Sequence, residues 1–345
     1  MRRRAAITSV CMCLSVLLVV AGALPAVAAP SPATVLPQRG FAAYEWHTLS
    51  QVNAKVSDQR LDALRDGGFR TIYVNVAEYL RVAGQSGSPT RRSRLNRLTG
   101  DLRRFVSRAS GLGFAVHAVA GGPHWTDPAH RQLGPRLVQL IADYNAAADA
   151  GERLQGIQLD IEPYAEAVFW HDVGASLGRY LSTFQAIVAA YGQARARAGN
   201  EGLRLGFAIP FWLDGTPPDV PEVAFGATEG TRTTKAAAFH LIDMVRELPE
   251  VYVLVMAYRN VAAGPDGSIE QVGRELAYAG ATGAACGIVV AQEFTAVTPE
   301  KLSFWWTGRA AFRQAATELA AAYGHLQQFR GLAVHDMNAY LAARD

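Results

Sequence analysis

The sequence predicts a single-domain α/β protein folded as a (β/α)8 TIM barrel. Three observations carry this reading: eight short apolar runs alternate with segments of helical period, the runs are apolar throughout, and no glycine-rich phosphate loop follows the first of them. Strands without polar alternation are buried on both faces, as in a parallel sheet covered by helices. An open doubly wound sheet fits the same alternation of elements. The first strand, however, leads into Ala42-Ala43-Tyr44-Glu45-Trp46-His47, which is the wrong chemistry for a dinucleotide-binding turn.

The eight expected strands are 40–44, 71–76, 115–120, 156–161, 204–209, 251–257, 287–291 and 331–334. Between them, 176–197 and 310–323 have the clearest helical period. The basic stretch from Arg91 to Arg108 carries Leu95, Leu98, Leu102 and Phe105 at helical spacing, so it reads as a solvated outer helix and not as a polyanion site.

Ahead of the barrel, Arg2, Arg3 and Arg4 precede an uncharged run from Ala5 to Ala29, with Ala26 and Ala28 offering a small-residue cleavage site. This is the pattern of a secretory signal. The expected division is a signal peptide over 1–28, a Pro/Ala-rich linker over 29–39 and the barrel over 40–345, giving a secreted or cell-envelope protein. A retained N-terminal anchor is the alternative, since the run is long enough to span a bilayer. Two of the three cysteines, Cys11 and Cys13, fall in the signal, so Cys286 is left as a lone apolar-flanked core residue with no disulfide framework. The formal charge of +3 comes from 33 basic and 30 acidic residues, and the three signal arginines account for it. The remaining chain is formally neutral, so neither nucleic acid nor, after signal cleavage, a membrane is expected as a partner.

In a barrel of this kind the active site lies at the C-terminal ends of the strands. Those ends carry Glu45 and Trp46, then Glu78, then His117 with the His124-Trp125 loop, then Asp160 and Glu162. The later strands add Trp212, Tyr258-Arg259, Glu293 and His335-Asp336. All six tryptophans follow a strand or lie in the next loop. Indole faces suit the apolar faces of sugar rings, which points to a carbohydrate cleft. Glu45, Trp46, Glu78, His124, Trp125, Trp212, Arg259, His335 and Asp336 are therefore the candidate substrate-binding residues. The histidines His117, His124 and His335 lack metal-ligand spacing and no G-x-S-x-G elbow occurs, so neither a metal nor any other cofactor is expected.

The chemistry centres on Gly156-Ile157-Gln158-Leu159-Asp160-Ile161-Glu162-Pro163. Alternation on a strand sends Asp160 and Glu162 to one face, with Cα atoms about 6.6 Å apart. Glycoside hydrolysis needs a proton donor for the leaving oxygen and a group to stabilise the sugar cation. Glu162 is the natural donor, and Asp160, approaching from the same side, suits tuning Glu162 or holding a substrate group that itself attacks.

The run from Leu154 to Glu162 resembles the fourth-strand signature of the chitinase-like family 18 glycoside hydrolases, and Val255-Met256-Ala257-Tyr258 resembles that family's sixth-strand Met-x-Tyr motif. The resemblance implies a (β/α)8 barrel with Glu162 as acid/base, Asp160 holding an N-acetyl group and Tyr258 supporting the intermediate. Gln155 and Gln158 stand where the family usually carries aspartates, and Arg259 where it often has another. A second resemblance is to retaining glycosidases of the large barrel clan with glutamates on strands four and seven: it implies Glu162 as acid/base and Glu293 as nucleophile. That clan's usual Asn before the acid/base is Ile161 here. The reading is a secreted glycoside hydrolase acting on a polysaccharide or oligosaccharide, with a non-catalytic glycan-binding barrel as the alternative.

Overall fold

The computed structural model describes residues 40–345, apart from 217, 218 and 227. The expected signal peptide and linker lie outside the described residues. Ten strands form: β1 (Phe41–Glu45), β2 (Phe69–Asn75), β3 (Ala115–Ala120), β4 (Gly156–Leu159), β5 (Arg204–Pro210), β6 (Val223–Phe225), β7 (Thr233–Lys235), β8 (Val251–Met256), β9 (Gly287–Glu293) and β10 (Phe329–His335). Eight of them close into a barrel in the order β1-β10-β9-β8-β5-β4-β3-β2, every pairing parallel. The predicted barrel is therefore the observed one. The two strands absent from the prediction, β6 and β7, make a separate antiparallel hairpin inserted after β5.

Strand alternation separates two cores. Phe41, Ala43, Ile72, Val74, Ile157, Leu159, Val253, Val255, Ile288 and Val290 face the helical layer. Ala42, Tyr44, Tyr73, Val119, Ala208, Tyr252, Leu254, Met256, Val289, Ala291 and Ala333 fill the barrel axis, with Trp46, Tyr164 and Tyr258 packed against them. The basic stretch forms one helix, Pro89–Gly111, that buries Leu98, Leu102, Phe105 and Val106 and starts at a Ser88 cap. Its arginines project outward around an apolar seam, as its period requires. Cys286 is fully buried, and burial pushes its thiol up to about 11, out of reach of nucleophilic chemistry near neutral pH.

Strand β4 ends at Leu159, two residues sooner than expected, yet Asp160 N–H still donates to the Ala120 carbonyl at 3.1 Å and continues the ladder by one step. Ile161 remains buried against the helical layer while Asp160 and Glu162 stay partly exposed at the barrel mouth. The neighbouring strand end must come very close to permit this. A Cβ on Gly121 would lie 1.7 Å from the Asp160 carbonyl oxygen, so only glycine fits there. Gly206 clears space in the same way for Gln158 and the Tyr252 ring, 2.1 and 2.3 Å from where its Cβ would be.

Gly121→Ala is expected to destabilise the fold by about 1–3 kcal/mol, because the clash is with backbone that cannot rotate away. Chemical denaturation against Gly100→Ala, which meets nothing within 4 Å, measures it.

Candidate active site

Four ionisable side chains from three strand ends meet at the mouth. Glu293 ends β9 on the axial face, where it is almost wholly buried. Its Oε1 accepts from Phe294 N–H at 2.8 Å, Thr295 N–H at 2.5 Å and the Thr295 hydroxyl at 2.7 Å. Its Oε2 lies 2.8 Å from His335 Nδ1 at the end of β10. That bond assigns the Nδ1 proton to His335 and leaves Nε2 as the free end of the imidazole. The His335 ring is packed edge-on against Tyr44 and Trp46, with centroids 5.8 and 5.9 Å away, and lies nearly parallel to Tyr258 at 6.5 Å.

The charges of these groups act on one another. Burial pushes Asp160 up to about 7; the Glu162 charge adds to the rise and His335 opposes it. Glu162 is likewise raised by burial, against the pull of the Tyr164 hydroxyl and of His335. For His335, burial favours the neutral ring, but the bond to Glu293 and the charges of Glu293, Asp336 and Asp160 outweigh it and raise the pKa. Burial, then Glu293, Asp160 and Glu162, hold the Tyr258 hydroxyl well above its usual range, so it stays a neutral donor. The arrangement is a buried carboxyl pair with protons to give, beside a cation anchored by a third carboxylate.

Of the expected substrate-binding residues, Trp46 and His335 line this mouth. Trp212 stands one loop away, edge-on to Tyr164 at 5.1 Å. The others are placed differently. Glu45 shares the parity of Phe41 and Ala43, turns to the helical layer and is fully buried, bonded to His47 N–H and Nδ1 at 2.7 and 2.6 Å. Glu78 pairs with Arg94 at 2.7 Å and accepts from Ser50 at 3.3 Å. Trp125 is a core residue of the outer layer, not a platform. His124 is exposed and faces Glu166 at 3.7 Å. Arg259 is nearly buried, donating to Asp266 at 2.7 Å and to the Tyr258 carbonyl at 2.8 Å, with its guanidinium over Phe211. Asp336 caps the helix Met337–Ala342 by accepting from Ala339 N–H at 2.7 Å.

Two mouth residues escaped the sequence reading, Tyr44 and Tyr164, and Trp170 entered it only as one of the six tryptophans. Tyr44 and Tyr164 continue the alternation that carries Trp46 and Glu162, which is a signal in the sequence. Trp170 lies in the short helix Ala167–His171, about half exposed, with Nε1 donating to the Tyr164 carbonyl at 2.8 Å. Trp46 Nε1 and the Tyr164 hydroxyl are buried without a hydrogen bond of normal geometry to any described residue. A separate cavity of about 350 Å³, lined by Tyr73, His117, Arg204, Tyr252 and Arg330, opens at the strand starts, at the opposite end from Glu162.

No protein-family model matches the chain, and no curated protein matches it. Solved structures do. A GH5-4 broad-specificity endoglucanase from Clostridium longisporum superposes with a TM-score of 0.54 at 14% identity, over 89% of this chain and 88% of that one. XEG5A, a xyloglucan-specific endo-β-1,4-glucanase from a metagenomic library, gives 0.52 at 14% identity over 88% and 89%. Thermotoga maritima Cel5A, in complex with mannotriose, gives 0.51 at 11% identity over 89% and 92%. Likeness at this identity establishes the shared (β/α)8 barrel fold.

Asp160 titrates higher folded than unfolded, so its contribution to stability is complete below the ordinary carboxylate range and is lost as pH rises through about 7. Asp160→Asn is therefore expected to be more stable than the parent at pH 8, by on the order of 1–2 kcal/mol, with the gap closing towards pH 4. Thermal melts of both proteins at the two pH values measure it.

Proposed function

We propose that this protein is a glycoside hydrolase acting on a polysaccharide or oligosaccharide, with Glu162 as general acid/base and Asp160 and Tyr258 assisting. The observation that carries the proposal is the pairing of two half-buried carboxyls, both raised by burial, just beyond the tip of β4 with the Glu293–His335 pair across the mouth. A leaving alkoxide needs a carboxylic acid that holds its proton above the ordinary carboxylate range, and burial moves Glu162 in that direction. Asp160, beside it and raised further by the Glu162 charge, can hold a polar substituent of the sugar. The neutral Tyr258 hydroxyl is a donor for charge developing on that substituent. Trp46 Nε1 offers an unclaimed hydrogen bond to a sugar hydroxyl, and the faces of Trp170 and Trp212 offer stacking surface.

Two routes follow for the cation. In the first the substrate's own substituent attacks and Asp160 orients it. In the second Glu293 attacks, as in retaining hydrolases with glutamates on these two strands. The four hydrogen bonds on the Glu293 carboxylate favour the first, because they spread its charge and suit it to fixing His335. The barrel likeness to endoglucanases supports carbohydrate as the substrate class. The basic, apolar N-terminal sequence supports export to the cell envelope or medium, which the N-terminal sequence of protein recovered from culture fractions tests.

Glu162→Gln is expected to lower kcat by about 10²–10⁴ while oligosaccharide binding persists. Full turnover in that variant ends the acid/base assignment; binding without turnover in the parent, across cell-wall and capsular polysaccharides, makes the protein a glycan-binding barrel. Glu293→Ala rescued by azide would assign Glu293 as nucleophile, whereas the substrate-assisted route predicts no rescue. The rate should fall with rising pH as Glu162, held above the ordinary glutamate range by burial, ionises.

A further inference from the structure

A second binding region lies outside the barrel mouth, on the rim of the same face. A groove of about 610 Å³ runs between the start of the helix Leu133–Ala146, the first half of the helix Val173–Arg195 and the β6–β7 hairpin. Arg131, Arg179 and Arg232 line it together with Gln132, Ser182 and Gln185, and no acidic residue does. None of the three arginines is ion-paired with a described residue; Arg179 donates only to the Ser176 hydroxyl, at 2.8 Å. The three lie together in a chain that is formally neutral beyond its first four residues, whereas Arg65, Arg94, Arg103, Arg195 and Arg197 each face a carboxylate.

The groove is continuous with the catalytic side. Thr126 and Arg179 also line a smaller cavity of about 140 Å³ that reaches Pro163, the residue after Glu162. That connecting cavity carries Asp127 and Glu166 as well, each beside a histidine, His130 and His124 respectively. The acids thus stay near the mouth, and the uncompensated positive charge lies beyond them. A guanidinium presents a planar fork of donors that matches carboxylate or phosphate oxygens, and amide and hydroxyl neighbours complete the set for a sugar acid.

We infer that the Arg131–Arg179–Arg232 groove holds the anionic groups of a glycan chain whose scissile bond lies at Glu162, so that the substrate class is acidic polysaccharide. The inference rests on the hydrolase reading for the second half of that statement and on the groove alone for the first. Binding by the full protein is measured by calorimetry with tetragalacturonate, with a phosphate-bearing oligosaccharide and with cellotetraose as the neutral reference. The parent is expected to prefer an anionic probe, and the better of the two identifies carboxylate or phosphate as the recognised group. Arg131→Gln/Arg179→Gln/Arg232→Gln should weaken that probe at least about tenfold and leave cellotetraose unchanged. The single variants Arg131→Gln and Arg232→Gln should each show part of the loss, which separates the effect from a folding defect. A parent without preference, or a triple variant that keeps it, overturns the inference. Turnover of the same probes separates the two readings: groove-dependent binding without cleavage ends the hydrolase and leaves the groove, whereas cleavage of neutral chains indifferent to the three arginines ends the groove and leaves the hydrolase.

Discussion

The 2.8 Å hydrogen bond between His335 Nδ1 and Glu293 Oε2 governs the charge of the whole mouth. Three carboxylates taken from water into one cleft are costly to ionise together. Glu293 accepts hydrogen bonds from its own loop and from the imidazole, which fix its carboxylate in place. His335, fixed and favoured in its charged form, then stands as the counter-ion facing Asp160 and Glu162. What remains is a pair of acids whose burial outweighs that counter-ion and raises both above the ordinary carboxylate range. Proton donation, the property a glycosidase needs most, is thus a consequence of how the barrel distributes one cation among three acids.

The barrel supplies the geometry for this distribution. Gly121 lets β3 and β4 approach until the Asp160 backbone closes against β3, which sets Asp160 and Glu162 at the rim and not one turn above it. The axis beneath them is filled by Tyr44, Tyr73 and Tyr252, whose rings exclude water from below the acids. Tyr73 and Tyr252 sit against His117, which burial drives down to about 3 and so keeps neutral. The core is consequently a low-dielectric floor for the site as well as the source of stability.

Much of this was legible in the sequence because it rests on burial. Each of the eight barrel strands is an apolar run, and the structure moves their ends by two residues at most. The hairpin of β6 and β7 was not legible, since Thr233-Thr234-Lys235 is short, polar and exposed and carries no period. For the candidate site, Asp160, Glu162, Tyr258, Glu293 and His335 were singled out by position at strand ends, and the structure brings them to the barrel mouth. Errors arose where side-chain direction decided the outcome: Glu45 falls on the outer parity of β1, Trp125 turns beneath its own loop into the outer core, and Arg259 bends back onto Asp266. Asp336 could have been read correctly, because an Asp three residues before a helical N–H is a capping signal.

The central claim is that burial at the mouth raises both Asp160 and Glu162 above the ordinary carboxylate range, against the opposing charge of His335. Carbon-13 NMR titration of side-chain carboxyls, with resonances assigned through Asp160→Asn and Glu162→Gln, tests it directly. The account predicts that the Asp160 carboxyl titrates near 7 and the Glu162 carboxyl above the ordinary glutamate range. Titration of both carboxyls in the ordinary range, fully ionised by about pH 5.5, would contradict it.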